Sequence, residues 1–234
     1  MSNPKILFFD IESGGVNALK SDLGFVLMVG YKWSTQKNVH VLTIKHKDLR
    51  HFNDKPILTE FSKIYTQADM TVAHFGSVFD RRFIQGRLLI HQLPAIPFTK
   101  MRDTCMISRS VANYSSNRLK NLGDTLKLKH RKMEKGDGWP TWWFRAMQGD
   151  MKAIRDMALY CKDDVLALEE LYYRLRPFDN PHPNLYPGRQ ICGSCGSPVQ
   201  YHGVAFVGVL KYRRYQCNGC GKWGRDRTAD RSVT

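Results

Sequence analysis

Three short apolar runs within the first 44 residues most constrain the fold of this chain. They are KILFFD at 5–10, FVLMVGYKW at 25–33 and NVHVLTI at 38–44. Their length and their content of β-branched and aromatic residues predict three strands, and the polar turn STQK joins the last two. The first run ends in an acidic residue, Asp10, so a buried strand delivers a carboxylate to its own end.

Helical spacing dominates the residues that follow. At 150–175 the apolar residues recur at intervals of three and four, which predicts one long amphipathic helix. The other predicted elements are helices at 56–67, 78–91 and 119–128, a strand at 70–74 and a loop at 94–100. Strands followed by alternating helices and strands indicate an α/β fold with a mixed sheet. The proline-rich stretch predicts a division into 1–176, a linker at 177–188 and 189–234.

The charge balance indicates a polyanionic partner. The chain has 36 Lys and Arg against 21 Asp and Glu, a net charge of +15, which favours nucleic acid. With 42% hydrophobic residues it is not a disordered chain, and no stretch approaches the roughly 20 apolar residues of a membrane span. Because the N-terminus shows no signal-peptide pattern, we expect a cytoplasmic protein, of a bacterium or a virus-infected host, and no membrane partner.

Acidic residues stand at three structurally defined places. Asp10 and Glu12 lie two apart at the end of the first strand, so they share a face and repel each other unless a cation lies between them. Asp80 lies in the first turns of a helix, and Tyr160 and Asp164 lie four apart on the long helix. Each group alone has an ordinary explanation: a solvated strand end, a helix-dipole contact or a surface pair.

Together and in this order, these residues resemble the DEDDy-type 3′–5′ exonucleases, a family with the ribonuclease H-like fold that includes the proofreading domains of family B DNA polymerases. The resemblance covers about residues 1–175 and includes FDIES, HFGSVFD, the Asp103-Thr104 pair, RLKNLGDTLKL and YCKDDV. It implies a mixed five-stranded sheet flanked by helices. One departure is Ser13-Gly14-Gly15, since many relatives have Thr after the acidic triplet.

The resemblance also implies roles for the site residues. Asp10, Glu12, Asp80 and Asp164 would hold two Mg²⁺ or Mn²⁺ ions, which activate a water and stabilise the leaving 3′-oxygen. Tyr160 would orient the attacking water, because its usual pKa of about 10 makes it a poor base. Asp163 competes with Asp164 for the last position, and the spacing from Tyr160 favours Asp164.

The C-terminal cysteines form two matched pairs. The motifs are C-x2-C, separated by 21 residues and each followed by glycine: Cys192, Cys195, Cys217 and Cys220. This pattern resembles the zinc ribbons, in which a hairpin brings both pairs around one structural Zn²⁺, and residues 199–216 alternate as such a hairpin. Since so short a tail has little core, the metal would supply much of its folding energy. A redox pair is the alternative.

Basic and aromatic residues are interleaved on the predicted hairpin. They are Lys211, Tyr212, Arg213, Arg214 and Tyr215, and the pattern is typical of phosphate contacts combined with base stacking. A soluble hairpin with charged edges is the alternative. A second basic run includes Lys129, Arg131 and Lys132, and it is either a rim that guides a substrate or a solvated loop.

These patterns predict a metal-dependent 3′–5′ exonuclease that acts on DNA, at single-stranded ends, with the zinc ribbon helping to bind nucleic acid. The first alternative is the same chemistry on RNA. The second is a proofreading subunit whose ribbon docks a separate polymerase or another replication or repair protein. The third is a non-catalytic nucleic-acid-binding adaptor, which would need a broken carboxylate set.

Overall fold

The computed structural model describes residues 3–130 and 141–229, and the chain divides into two compact units, Met1–Tyr172 and Tyr173–Thr234. The strands of the first unit are β1 Ile6–Gly15, β2 Gly24–Trp33, β3 His40–Thr43, β4 Met70–Ala73 and β5 Lys100–Asp103. They form one sheet in the order β3-β2-β1-β4-β5, in which β1, β4 and β5 run parallel and β2 runs antiparallel to both neighbours. This confirms the predicted mixed sheet of five strands.

β1 lies at the centre of the sheet and alternates its side chains between two layers of helices. Leu7, Phe9 and Ile11 pack in a core shared with α2 (Lys55–Tyr65) and α3 (Asp80–Ile90). Phe8 faces the other side, where its ring meets the edge of Tyr172 at a centroid distance of 5.6 Å. Because successive side chains of a strand alternate, the residues two and four positions after Phe8 share its face.

The helix that covers this second face is α7 (Met151–Leu175). It begins after Asp150, whose carboxylate accepts hydrogen bonds from the backbone N–H groups of Ala153 and Lys152 at 3.1 and 2.8 Å. The Ala153 hydrogen bond and the neighbouring Arg145 lower the pKa of Asp150, so the cap is charged at neutral pH. The long helix predicted at 150–175 therefore forms with its expected bounds.

In the described part of the first unit, four elements have no counterpart in the prediction. β5 has the sequence KMRD, in which Met101 is the one apolar residue, and pairs with β4 at the edge of the sheet; α4 (Thr104–Val111) follows it directly. α6 (Thr141–Met147) packs at the far end of β1, where the Met147 sulfur accepts a hydrogen bond from Gly15 N–H at 3.1 Å. The unit is completed by α1 (His46–Leu49), also not predicted, and by the expected short helix α5 (Leu119–Thr125).

The second unit contains a three-stranded antiparallel sheet of β6 (Val199–Val207), β7 (Leu210–Cys217) and β8 (Trp223–Arg225). β6 and β7 form the hairpin that alternation at 199–216 predicts. Before it, in the proline-rich stretch, Asp179 is buried and its carbonyl accepts a hydrogen bond from the Lys222 ammonium. No helix within the described ranges combines the length and the apolar character needed to cross a bilayer.

Candidate active site and cysteine cluster

Two carboxylates lie at the end of the central strand. Asp10 and Glu12 follow Phe8 on the face of β1 that α7 covers, and their carboxylate oxygens and the Cys161 sulfur all lie within 4.8 Å of one another. The β1–β2 register shifts between Glu12 and Ser13, so an irregularity interrupts the pairing directly after the second acid before it resumes at Ser13–Val26. Glu12 is buried and Asp10 is half-buried, which places the pair at the boundary between the core and solvent.

The helix α7 adds Tyr160, Cys161 and Asp164 to the same region, and all three are buried. The helix approaches the sheet closely here because Gly30, the cross-strand partner of Asp10, has no side chain: a Cβ on Gly30 would lie 2.6 Å from the Cys161 sulfur. Asp164 is 1% exposed, whereas the adjacent Asp163 is half-buried.

The Cys161 thiol lies close to several negative charges. Burial raises its pKa most, and the negative charges of Asp10, Glu12 and Asp164 each raise it further, to well above its usual value. The thiol is therefore neutral at neutral pH, and negative charge from three carboxylates converges on one point between β1 and α7. Such a convergence inside a protein is unfavourable unless a cation balances it.

Asp80 reaches the site from the other helical layer. It is the first residue of α3 and is buried, and its Oδ1 accepts a hydrogen bond from the backbone N–H of Ile11 at 3.1 Å. Ile11 lies between the two acids of β1, so the hydrogen bond fixes the Asp80 carboxylate beside the Asp10-Ile11-Glu12 segment. The first turn of α3 also favours the ionised carboxylate.

A further carboxylate, Asp103, holds the loop that leads from β4 to Asp80. It accepts hydrogen bonds from Phe75 N–H at 2.9 Å, from Ser77 N–H at 3.0 Å and from the Ser77 hydroxyl at 2.6 Å, and it also caps α4 through Cys105 N–H. Phe75 has a φ of +63°, a conformation that costs free energy for a residue with a side chain. The Asp103 hydrogen bonds stabilise that strained turn.

The ring of Tyr160 packs against Trp143 of α6. The two ring centroids lie 5.7 Å apart in an edge-to-face arrangement, which is a favourable geometry for aromatic pairs. The Tyr160 ring, which projects from α7, therefore packs against α6 next to the end of β1.

The residues of this region fit divalent cations of the hard type. Their charged donors are carboxylate oxygens, the ligands that Mg²⁺ and Mn²⁺ prefer. The negative charge that these carboxylates place at Cys161 gives the physical reason why a cation is favourable there.

The four C-terminal cysteines form a separate cluster, in which all four sulfur atoms lie within 4.8 Å of one another. The sulfurs of Cys192 and Cys220 are 3.9 Å apart and those of Cys195 and Cys217 are 3.4 Å apart, far longer than the disulfide length of about 2.05 Å. Tetrahedral zinc–thiolate bonds of about 2.3 Å require sulfurs roughly 3.8 Å apart. The cluster therefore fits a zinc ribbon.

The two halves of this cluster have matching backbones. Gly196 and Gly221, the residues after each pair, both have a φ of +76°, and their N–H groups donate to the carbonyls of Cys192 and Cys217 at 2.8 and 3.0 Å. A positive φ costs glycine much less than other residues, so the turn after each C-x2-C motif favours glycine at that position.

The thiols of the cluster titrate differently. Burial raises the pKa of Cys192 and of Cys220. Burial also opposes ionisation of Cys195, but hydrogen bonds from Ser197, Cys217 and Cys220 outweigh it and lower the pKa of this thiol to about 7. Binding of a metal ion by four thiolates must therefore release protons.

The basic and aromatic residues of the hairpin divide between the two faces of the sheet. Lys211, Arg213 and Tyr215 alternate with Tyr212 and Arg214 along β7, so the set does not form one patch. In the first unit, Lys129 donates its backbone N–H to Glu170 at 2.9 Å. Arg131 and Lys132 lie outside the described residues.

Sequence reasoning missed three features of these sites. The first is the position of Cys161 next to the carboxylates. Its place in the sequence gives a signal, because Cys161 follows Tyr160 directly and lies three residues before Asp164 on the same helix. Asp103 appeared only as part of a resemblance, and its hydrogen bonds to the Asp80 loop depend on the β4–β5 pairing. The contact between Trp143 and Tyr160 has no signal in the sequence, because it depends on how α6 packs.

Comparisons with known proteins agree with this architecture. The family model of the RNase H superfamily matches residues 7–176. Among solved structures, a family B DNA polymerase from the hyperthermophilic archaeon Pyrobaculum calidifontis is similar at a TM-score of 0.59 and 16% identity, over 76% of this chain. This chain spans 25% of that polymerase chain, and at this identity the likeness concerns the fold alone. No curated protein sequence matches. Because the family model covers most of the chain, including β1 and α7, the protein belongs to the RNase H superfamily, whose members are usually nucleases that use divalent metals.

Proposed function

We propose that this protein is a metal-dependent 3′–5′ exonuclease that hydrolyses DNA from single-stranded 3′ ends. The observation that carries the proposal is the convergence of Asp10, Glu12 and Asp164 on the Cys161 thiol, with Asp80 fixed alongside by the backbone of Ile11. Two of these carboxylates lie within 4.8 Å of the Cys161 sulfur, the charge of Asp164 acts on the same thiol, and Asp80 is hydrogen-bonded to the backbone between the first two, although the four come from three separate elements. Their shared purpose is then to hold cations.

Asp10, Glu12, Asp80 and Asp164 would hold two Mg²⁺ or Mn²⁺ ions. When bound, such ions lower the pKa of a coordinated water and stabilise charge on the leaving 3′-oxygen. The protein supplies the fixed positions: β1 orients two carboxylates through strand alternation, and the Ile11 N–H orients the third. Because the scaffold already places these oxygens, little reorganisation is required on binding.

Tyr160 would orient the attacking water through its phenol hydroxyl. Its ring is fixed by Trp143 and by burial in α7, so the hydroxyl has a defined direction. A phenol is protonated at neutral pH, and it therefore acts better as a hydrogen-bonding group than as a base.

The choice of DNA rests on two observations. The net charge of +15 favours a polyanion, which includes DNA and RNA alike, and one similar solved structure is a DNA polymerase. In the second unit, the four cysteines would hold one structural Zn²⁺, and the basic ribbon around them would bind the nucleic acid. RNA remains the alternative substrate.

A digestion assay tests this proposal. Oligonucleotides labelled at the 5′ end, as single-stranded DNA, double-stranded DNA and single-stranded RNA, are incubated with the protein and Mg²⁺ or Mn²⁺. We expect a ladder of products shortened from the 3′ end, fastest with single-stranded DNA and absent with a chelator. Release of the labelled nucleotide first would mean the opposite polarity. Binding without cleavage in either metal would favour the non-catalytic adaptor.

A proofreading subunit that docks a polymerase is the second candidate, and the tip of the β6–β7 hairpin favours it. Phe206, Val209 and Leu210 are exposed there, Val209 to 97%. Adjacent exposed apolar side chains mark protein-binding sites more often than nucleic-acid sites. If this candidate is correct, replacing the three residues with serine abolishes co-elution with the DNA polymerase of the same genome and leaves digestion of free oligonucleotides unchanged.

A further inference from the structure

The sheet of the second unit presents two chemically different faces. On one face, which we call face A, the register places Tyr201 opposite Tyr215 and Val204 opposite Arg213. On the other, face B, Arg214 lies opposite Arg225 and Gln216 lies opposite Trp223. Tyr212 also belongs to face B, because it is two residues before Arg214 on the same strand.

On face A, the Tyr201 hydroxyl and the Arg213 charge have partners within the second unit. Asp226 accepts hydrogen bonds from the Tyr201 hydroxyl at 2.8 Å and from Arg213 Nε at 2.9 Å, and the Arg213 guanidinium lies 4.3 Å from the centroid of the Tyr201 ring. The positive charge of Arg213 is thus paired with a carboxylate. The Tyr215 ring covers Gly224, since a Cβ on that glycine would lie 2.5 Å from it.

Face B carries positive charge that no carboxylate of the described residues balances. The Arg214 guanidinium donates to the carbonyl of His202 at 3.1 Å, and that of Arg225 donates only a long contact of 3.5 Å to the carbonyl of Asp226. Among the described residues, neither arginine forms an ion pair. Like charges directly opposite each other on neighbouring strands destabilise a sheet. An anion bound at face B would relieve that repulsion.

Both arginines of face B are held against aromatic rings. The Arg225 guanidinium lies 4.1 Å from the centroid of the Tyr212 ring, and that of Arg214 lies 5.1 Å from the centroid of the Trp223 ring. The His202 ring contacts Trp223 edge to face at 5.6 Å. Trp223 is still 47% exposed. Stacking restricts the arginine side chains before any ligand binds, so less conformational entropy is lost on binding.

We infer that face B is the surface of this protein that binds single-stranded nucleic acid, with Arg214 and Arg225 on the phosphates and the exposed Trp223 ring stacked on a base. Planar cations beside aromatic rings are the two components that sequence-independent single-strand sites combine. The inference rests on the proposed function only for the identity of the strand that is held. It also assigns Lys211, Arg213 and Tyr215 to a face that contributes little to binding.

Fluorescence anisotropy of the full-length protein tests this inference. Asp164→Ala, which we expect to prevent degradation of the probe, serves as the parent for all variants. Two fluorescein-labelled probes are compared, an oligothymidylate and an oligouridylate of equal length. Each has about 15 nucleotides, which lies within the usual range of single-strand sites. Binding is measured between about 50 and 200 mM salt, the range in which phosphate contacts are most evident.

Two double variants form a matched pair. Arg214→Ala/Arg225→Ala removes two charges from face B, and Lys211→Ala/Arg213→Ala removes two charges from face A. We expect the first to reduce the slope of log K against log salt by about 1.4, at around 0.7 per phosphate, and the second to leave the slope unchanged. Trp223→Ala should weaken binding by roughly 5- to 150-fold at every salt concentration. The ratio of the affinities for the two probes shows whether face B prefers DNA or RNA.

Equal losses in the two double variants would overturn the inference, because binding would then depend on net charge alone. Unchanged affinity in the face B variant would overturn it in favour of protein docking. Zinc content verifies that each ribbon is folded, and where the alanine variant loses zinc, Arg214→Lys/Arg225→Lys is expected to keep the salt slope and lose affinity. Cleavage is assayed in the protein that retains Asp164: if that protein does not cleave although face B binds, the nuclease proposal fails and this inference stands.

Discussion

Among single residues, Asp164 is the most informative one to replace, because it is the most deeply buried carboxylate of the candidate site and has a natural control beside it. Asp164→Ala should abolish cleavage, since the loss of a ligand disrupts a metal site, while binding of a single-stranded oligonucleotide is largely retained through contacts made elsewhere. Asp163→Ala removes the same charge one residue earlier and should retain activity. Rates and affinities of the two variants are compared side by side, and equal activity in both would remove Asp164 from the site.

Tyr160→Phe separates orientation from packing. Only the hydroxyl is removed, so the contact with Trp143 and the fold of α7 remain. We expect a decrease in kcat of roughly 10²- to 10⁴-fold, the usual contribution of a positioned group of this kind, with unchanged binding of Mn²⁺. Trp143→Phe keeps an aromatic edge-to-face contact and should decrease kcat much less than Tyr160→Phe does. A Tyr160→Phe enzyme with the wild-type rate would show that the tyrosine is only structural.

At this scale, the sequence predicts positions better than environments. The order and spacing of Asp10, Glu12, Asp80 and Asp164 can be recognised in the sequence, because strand alternation and the helical repeat are local properties. The neighbours of each carboxylate cannot be predicted in this way, because they arise from tertiary packing. The meeting of Cys161 with β1, for example, depends on a glycine 131 residues earlier in the chain, at position 30.

At the scale of elements, Asp103 joins β5, α4 and the loop that precedes α3. Asp103→Asn replaces one accepting oxygen with an amide donor, so at least one of the N–H groups of Phe75 and Ser77 loses its partner. We expect a loss of about 1–3 kcal/mol in the free energy of unfolding, measured by urea denaturation, together with slower cleavage because Asp80 is less well placed. Asp69→Asn is the control: it is exposed, accepts a hydrogen bond from Lys5 N–H at 2.7 Å, and should change stability by less than about 0.5 kcal/mol.

The elements themselves were predicted where a periodic apolar pattern is long or uninterrupted. β1, β2 and α7 follow such patterns. β5 does not, because an edge strand of four residues with a single apolar side chain, Met101, is selected mainly by its backbone pairing with β4. α4 depends in turn on the Asp103 cap that β5 presents, so missing the strand also meant missing the helix.

At the scale of the molecule, a buried ion pair connects the sheet with two helices of the first unit. Asp54 is fully buried and accepts hydrogen bonds from Arg87 Nε and Nη2 at 2.9 and 2.8 Å and from Val26 N–H at 2.8 Å. Asp54→Ala leaves the buried Arg87 charge without its carboxylate, which typically costs 3–5 kcal/mol. The expected result is a much lower urea midpoint for the first unit.

The exposed pair between Arg145 and Asp150 provides the comparison for Asp54→Ala. Surface ion pairs contribute about 0–1 kcal/mol, so Arg145→Ala should leave the urea midpoint nearly unchanged. Similar midpoints for the two variants would mean that Asp54 and Arg87 contribute no more than a surface pair.

Removal of the metal should affect the two units differently. The second unit has a small core and depends on the four thiolates, so a strong chelator should unfold it while the first unit keeps its structure. Limited trypsin digestion is expected to cut rapidly within β7 after chelation, at Arg213 or Arg214, and to spare β7 when zinc is present. Because protons compete for the thiolates, the metal should also be released as the pH falls. Resistance of β7 to trypsin after complete zinc removal would contradict this dependence.

The alternation of β1 has a consequence for how this protein can change over evolutionary time. Successive side chains of the strand point to opposite faces of the sheet. Deleting one residue between positions 6 and 9 would therefore bring Asp10 and Glu12 onto the face that packs against Phe61 and Tyr65. The same deletion would present Ile11 to α7. Substitutions along the strand change one side chain at a time, but a change in its length exchanges the two faces at once. Among descendants that keep the acidic residues in place, insertions and deletions within the strand between Ile6 and Phe9 are therefore expected in pairs.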